Sequence, residues 1–412
     1  MIPQIPPTPV KPIWVRPPQW LAIPSLPTEG IIGLLAITND DSNYVALMCQ
    51  GAYSVDWGDG TGPHNFASGV VAQNQYTFST FDSGNLTLTS QGYKQALVTI
   101  RPQTSNTLTT VNLQQKHSSL SVSAAYCTPW LDLALNIPNC TTLIIGGTTI
   151  TLAWLQRVNL IALGAVTGFN LYNCYSLQSF IMAPITSLTT CSNMFYGCNS
   201  LRAVPLFNTA SVTIFTSMFL NCYTLQSIPL FDTSLGQSFN NMFYGCSSLQ
   251  SVPLFNTAAG NTFSSMFYGC ASLQTVPLLN TALGTNFSTM FGLCVSLQSV
   301  PLINTAAGTT FSSMFISCPA LQSIPAINTA AGTVFTSMLT SCSSLASGSF
   351  AGTKYSISYA NCKMSEAALV AVFTALGTCS GQTITVTGTY GDAALTAADK
   401  LIATTKGWTV AA

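Results

Sequence analysis

Eight cysteines stand at a constant step of 24 residues: Cys174, Cys198, Cys222, Cys246, Cys270, Cys294, Cys318 and Cys342. Thiols can ligate zinc, bridge as disulfides or attack electrophiles, so this spacing is the first place to look for chemistry. No Cys-x-x-Cys pair prefigures a zinc site. Thiols at one position of stacked units would lie about 5 Å apart with parallel side chains, a poor geometry for an S–S bond. The reading that fits is a column of small buried apolar groups, kept reduced in a compartment such as bacterial cytoplasm. Cys191 and Cys198, seven apart, fit one apolar stripe.

The other chemical candidates are few. His64 and His117 are the only histidines and lie in polar text, where each is expected to be an exposed loop residue outside any Ser-His-Asp arrangement. Asp56 and Asp59 flank a Gly-Asp-Gly turn and are the weak metal candidates, able to offer carboxylate oxygens to calcium. The competing reading has them accept backbone amides of the turn. No EF-hand loop or phosphate-binding Gly-Lys motif occurs. Between Arg202 and Lys354 the only charged side chain is Asp232, which leaves no carboxylate pair and no cationic oxyanion partner. The expectation is a chain without catalytic residues, cofactor or metal.

Periodicity names the elements that carry the cysteines. In the coil after Cys246, Phe263, Met266, Phe267 and Cys270 fall at i, i+3, i+4 and i+7, which predicts an apolar stripe on about two helical turns. Leu249, Val252 and Leu254 predict a short strand with an inward row, and Asn256-Thr257 the turn out of it. Each unit should therefore hold one short strand and one short helix or helical turn, stacked as a solenoid. A proline follows the Val or Ile of most coils (Pro205, Pro229, Pro253, Pro277, Pro301, Pro325), so each strand must be very short or bend there. Positions between the inward residues form outward columns, with Gln226, Gln250, Gln274, Gln298 and Gln322 in one and Ser or Thr in the next. Such a surface of amides and hydroxyls suits glycan or protein contact.

The text around the array differs. Residues 1–30 hold nine prolines and predict an extended arm, whose Ile13, Trp14, Val15 and Trp20 an isolated arm cannot bury and which should dock onto another protein. Residues 31–103 predict a small β-sandwich with strands at Ile31–Thr38, Tyr44–Asp56, Gln75–Phe78, Leu86–Thr89 and Ala96–Ile100. Residues 104–173 read as irregular first coils and 174–350 as the regular ones. In residues 351–412 charges return, and the text predicts strand Tyr355–Asn361, helix Ser365–Leu376 with Ser365 as N-cap, strand Gln382–Thr387, helix Thr396–Thr405 and strand Gly407–Val410. That unit would cover the open apolar end of the stack.

Composition excludes further classes. Only 5% of the 412 residues are charged and the formal net charge is zero, so no field attracts phosphate backbones or anionic headgroups. Nucleic acid is not an expected partner. No apolar run of about 18 residues occurs to insert into a membrane, and the N-terminus lacks the basic-then-apolar pattern of a secretory signal. Weak charge favours association, which suits a protein working inside an assembly and allows a homo-oligomer.

Three resemblances extend this reading. Tyr53-Ser54-Val55-Asp56-Trp57-Gly58-Asp59-Gly60-Thr61 resembles the signature of polycystic-kidney-disease-type (PKD) domains, immunoglobulin-like modules of surface proteins, with Gln75-Tyr76-Thr77 where those domains often carry His-Thr-Tyr. The Cys-x-x-Leu-x-x-Ile/Val core with its preceding Met-Phe pair, from about Leu177 to Leu345, resembles BspA-like leucine-rich repeats. The closing text from Lys354 to Val410, with its Ile402 to Val410, is similar to the ending of repeat proteins of tailed bacteriophages, and Gly92-Tyr93-Lys94-Gln95-Ala96 points the same way. Together they imply a multidomain fold: an Ig/PKD-like β-sandwich, then an α/β leucine-rich-repeat solenoid with a small α/β C-terminal cap. The implied role is structural and adhesive on the surface of a bacteriophage virion, as capsid decoration, fibre or tail-associated adhesin, assembled in the host bacterial cytoplasm. Its partners would be other virion structural proteins, met through the arm and sandwich, and a host-surface glycan or protein. A bacterial cell-surface leucine-rich-repeat adhesin is the alternative.

Overall fold

The computed structural model describes residues 14–39, 43–81, 88–120, 129–147 and 151–412. Ile13 and the arm before it, and Leu86-Thr87 of an expected strand, lie outside the described residues. The first strand, β1 (Gly30–Ile37), is an apolar run buried at every position, which demands cover on both faces. It is followed by β2 (Asn43–Gln50), β3 (Tyr53–Asp56), β4 (Pro63–Phe66), β5 (Val71–Tyr76), β6 (Lys94–Pro102), β7 (Thr110–Asn112), β8 (Trp130–Ile137), β9 (Thr142–Ile144), β10 (Arg157–Leu163) and β11 (Ser179–Met182).

Seven of these strands form one sheet in the order β11-β10-β8-β1-β6-β3-β4, and a second sheet runs β5-β2-β7-β9. The strand expected over 44–56 is divided by Gly51, at φ 97, where a Cβ would stand 2.1 Å from the Thr107 carbonyl oxygen. The chain turns there, so β2 and β3 join different sheets. Inward residues of both sheets, among them Leu35, Val98, Leu47 and Val111, share one core with the coils beyond. Pairing is antiparallel around β1 and becomes parallel at β8-β10-β11 and β7-β9. The sheets thus continue into the first coils without a break at residue 103.

From Thr190 to Val334, parallel bridges join each coil to the next at a step of 24. The helices expected in these coils are absent among the described residues, and tight turns replace them. Met266 N donates to Phe263 O at 3.2 Å and Cys270 N to Phe267 O at 3.1 Å. The third residue of each turn, Ser265 or Gly269, is left-handed, at φ 53 and 72, as a type II turn requires. Two consecutive four-residue turns that bury their first and fourth residues generate the i, i+3, i+4, i+7 pattern as well as a helix does. Backbone bonding then runs between coils: the amides of Phe263, Ser265, Phe267 and Gly269 donate to Asn286 O, Ser288 O, Met290 O and Gly292 O at 2.8 to 3.1 Å.

A second expectation is corrected in the same coil. Leu249 and Val252 point inward, but Leu254 is exposed and Phe255 takes the inward place. The cause is a three-residue turn in which Phe255 N donates to Pro253 O at 3.0 Å, which puts Leu254 at the apex. The proline column therefore marks a bend.

The core is ordered as columns. Phe215, Phe239, Phe263, Phe287, Phe311 and Phe335 stack with centroids 5.4 to 5.8 Å apart, and Phe195 to Phe315 repeat the pattern beside them. Each fully buried ring contributes roughly 1.5–3 kcal/mol. Space for the rings comes from glycine: a Cβ on Gly260 would meet Phe263 Cζ at 2.7 Å.

Beyond the regular coils, β12 (Ile327–Asn328) pairs with β13 (Phe350–Ala351), and β14 (Ile357–Ser358), β15 (Gln382–Thr385) and β16 (Trp408–Ala411) form a parallel sheet. Helix α1 (Glu366–Ala375) starts at Ser365, whose hydroxyl accepts from Ala368 N at 3.3 Å. Helix α2 (Ala397–Thr404) starts in a capping box between Thr396 and Asp399. Both helices fall where the text places them, because their caps are local polar chemistry.

Candidate binding surface

All thirteen cysteines among the described residues are free thiols, and twelve are buried. In the array each thiol has one structural task. Cys246 Sγ donates to Phe219 O in the preceding coil at 3.1 Å, and Cys222, Cys270, Cys294, Cys318 and Cys342 repeat the bond to Phe195, Phe243, Phe267, Phe291 and Phe315 at 2.9 to 3.2 Å. Burial, the largest influence, pushes the Cys342 thiol up to about 11 and the Cys191 thiol up to about 12. These groups stay protonated and out of reach of solvent.

A second interior column is threonine. Thr233, Thr257, Thr281 and Thr305 are buried, and each Oγ1 donates to the main-chain oxygen of the asparagine 23 residues on. The asparagine side chain in turn caps its own turn, with Asn256 Oδ1 accepting from Ala258 N at 2.9 Å. Each Asn-Thr pair thereby fixes both the turn and the spacing to the next coil.

The outward face is built by the bends. Leu206, Leu230, Leu254, Leu278 and Leu302 form a straight column, each 59 to 66% exposed. Beside it run Gln250, Gln274, Gln298 and Gln322, all exposed, with Gln226 half-buried, and Asn256, Asn280, Asn304 and Asn328 on the other flank. The glutamines are held in line by their backbones, with Gln298 N donating to Gln274 O and Gln322 N to Gln298 O. At its N-terminal end the leucine column opens into a groove of about 380 Å³ lined by Met182, Pro184, Leu206, Leu230 and Asp232. The glutamine column was legible in the text. The leucine column was not, although the Pro-Leu-Phe repeat carried its signal.

The arm residues part company. Trp20 is buried against Leu34, Ala36, Tyr93 and Leu131 of this chain's own seven-stranded sheet, and its Nε1 donates to Tyr93 Oη at 2.8 Å. Trp14 packs on Trp20 with centroids 6.2 Å apart. Arg16 Nε donates to the fully buried Asp132 at 2.9 Å, and Arg157 approaches the same carboxylate at 3.3 Å. The arm is thus the second cover that β1 demands, and Trp20 is spent on it. Val15, 77% exposed, remains available to a partner.

Asp56 and Asp59 act on their own turn. Asp56 Oδ1 accepts from Gly58 N at 2.9 Å, and Asp59 Oδ1 from Thr61 N at 3.0 Å and Thr61 Oγ1 at 2.6 Å. Asn74 Nδ2 donates to the other Asp59 oxygen at 3.2 Å. His64 is exposed on β4, with Nε2 2.9 Å from Thr61 Oγ1. His117 is buried rather than exposed, 4.7 Å from the Tyr44 ring, and burial lowers its pKa. Among the described residues no three His, Cys, Asp or Glu side chains gather to hold a metal ion, and no helix is long and apolar enough to cross a membrane.

A search of curated proteins finds no match. Among solved structures, the chain is similar to one in a crystal structure of a TLR13–ssRNA13 complex, at 14% identity and a TM-score of 0.27, over 63% of this chain and 47% of that one. The chain thus spans less than half the length of that protein, and a likeness this shallow carries nothing about ligands. Residues 189–301 and 263–351 match a family described as "Mycoplasma protein of unknown function, DUF285". The matched residues lie within the stack of regular coils.

Proposed function

We propose that the chain is a structural, adhesive rod on the surface of a bacteriophage particle, as capsid decoration, fibre or tail-associated adhesin, which holds partners through its coils and carries out no reaction. The observation that carries this reading is the leucine column. Five large apolar side chains are held out of a neutral surface by main-chain bends, at a cost in solubility that contact with a partner relieves. In this reading the first strands, with their PKD-like turn, and the arm join the particle, while the coils meet a host-surface glycan or protein. The phage-like text at Gly92–Ala96 and Ile402–Val410 supports the location. Mass spectrometry of purified particles and of host cell envelopes tests it: the chain should be found in particles, and changing Leu230, Leu254 and Leu278 to Ser should lower particle adhesion to host cells. Detection in envelopes alone would overturn the virion reading.

The second reading is a bacterial cell-surface adhesin. It is favoured by the family match, whose description names a bacterium. Detection in envelopes alone is its expected result.

A further inference from the structure

The repeat departs from itself away from the leucine column. Three successive coils carry Asn173-Cys174-Tyr175, Gly197-Cys198-Asn199 and Asn221-Cys222-Tyr223. The outer two are alike and the middle one is trimmed. Because coils stack, the trimmed coil leaves a cleft of about 460 Å³, lined by Tyr172, Tyr175, Tyr196, Tyr223, Asn199 and Asn221.

Its dimensions follow from the stacking. Tyr175 and Tyr223 are partly exposed and stand two coil steps apart, or about 9.5 Å. One saturated ring fits such a gap, since each aromatic contact takes about 3.5–4 Å. Tyr172 and Tyr196 form a stacked wall, with centroids 4.2 Å apart and planes 8° from parallel. The floor is fixed once the Asn199 amide is turned to the orientation that satisfies it, in which Nδ2 donates to Asn221 O at 2.8 Å and to Gly197 O at 3.1 Å. Gly197 itself is left-handed, at φ 71, and a Cβ there would stand 2.5 Å from Asn173 Oδ1.

Phenols, amides and aromatic rings without a charged neighbour select a neutral polyhydroxylated ring, whose hydroxyls they pair and whose CH faces they cover. A phosphate or carboxylate would find no cation among the lining residues and would lose hydration without return. We propose that this cleft binds one neutral pyranose unit of an oligosaccharide, with Tyr175 and Tyr223 on its two faces and Asn199 beneath its edge. The proposal rests on the adhesive reading above and gives it a site and a ligand class.

Isothermal titration of the full chain tests it. The probes are neutral tetrasaccharides of glucose, galactose, mannose or N-acetylglucosamine, with sialylated and sulfated tetrasaccharides as the charged arm. At least one neutral probe should bind, and the double variant Tyr175→Ala, Tyr223→Ala should weaken it about tenfold or more. Asn199→Tyr should fill the gap and abolish binding while the chain still melts in one cooperative transition, and Tyr390→Ala, at an exposed position of the C-terminal cap, should leave affinity as it was. No binding by neutral probes, binding by charged probes alone, or affinity that survives both cleft variants would overturn the proposal. If the probes fail while the leucine variant still lowers particle adhesion, the cleft falls and the adhesive reading stands. If a neutral probe binds as described but the chain is missing from particles, the cleft stands and the virion location falls.

Discussion

At the scale of single residues, the cysteines change from candidate reagents into parts of the frame. Their type and step were enough to foresee a buried column, but the bond that Cys222 through Cys342 make to a phenylalanine carbonyl, and Cys198 to the Leu171 carbonyl, depends on how coils stack and was not visible in the text. Burial also fixes a pH dependence. Cys342 and Cys362, raised to about 11 and about 12, stay protonated in the fold where an unfolded thiol, with an ordinary value of 9.0, has lost its proton. Between those values the unfolded chain binds fewer protons, so stability is full below about pH 9 and falls as pH rises through the window. Thermal melting should show a lower Tm at about pH 10.5 than at about pH 8, together with coil thiols, Cys198 to Cys342, that do not react with an aromatic disulfide reagent until the chain melts. Rapid labelling of Cys246 or Cys270 in the folded chain would contradict this. A second prediction concerns Leu293, left-handed at φ 58 where Gly245 and Gly269 stand in earlier coils. Leu293→Asn should raise stability by about 0.5–1 kcal/mol, because asparagine tolerates this conformation better, and a urea titration will show it as a higher midpoint.

At the scale of elements, some local signals sufficed and others had two solutions. Ser365 and the Thr396–Asp399 box placed α1 and α2 within a residue or two, since a cap is decided by its neighbours in sequence. The stripe Phe263, Met266, Phe267, Cys270 was solved wrongly as a helix, because paired type II turns bury the same positions. The residues that separate the two solutions, Ser265 and Gly269, carry the answer only in their backbone angles. Leu254 failed for a related reason: a strand would have turned it inward, and the bend at Pro253 turned it out. The arm is the third case. Its apolar side chains were expected to dock onto another protein, but β1, buried on both faces, supplies a surface within the chain for Trp20 and Trp14, while Val15 stays exposed. Arg16→Ala should therefore loosen the arm at a cost well below the roughly 3–5 kcal/mol of an unpaired buried charge, because Arg157 still faces the buried Asp132 at 3.3 Å and Arg16 is itself partly exposed. Limited proteolysis should then cut between Val15 and Pro27 well before the coils. An arm that stays protected in this variant would show that Trp20, with the Gln95 bonds to Gln19 and Leu21, holds it without Arg16.

At the scale of the whole molecule, one core runs from the paired sheets into the last helices, and the repeat makes its middle interchangeable. Most coils contribute the same two rings, the same thiol and the same Asn-Thr pair, with Cys191, Asp232 and Leu339 the departures, so the stack should tolerate loss of a complete unit but not of a fraction. The repeat length was fully legible in the text, since identical residues at a constant step require identical environments. The junction with the sheets was not, because the change from antiparallel to parallel pairing at β8 leaves no repeated residue to mark it. The most direct measurement removes residues 247–270, one whole coil, from one variant and residues 259–270, half a coil, from another, and compares their circular dichroism and thermal melting with the intact chain. The whole-coil deletion should stay folded and soluble with a slightly lower Tm, and the half-coil deletion should lose its cooperative transition. Equal tolerance of both, or equal collapse, would contradict a rod built of stacked 24-residue coils.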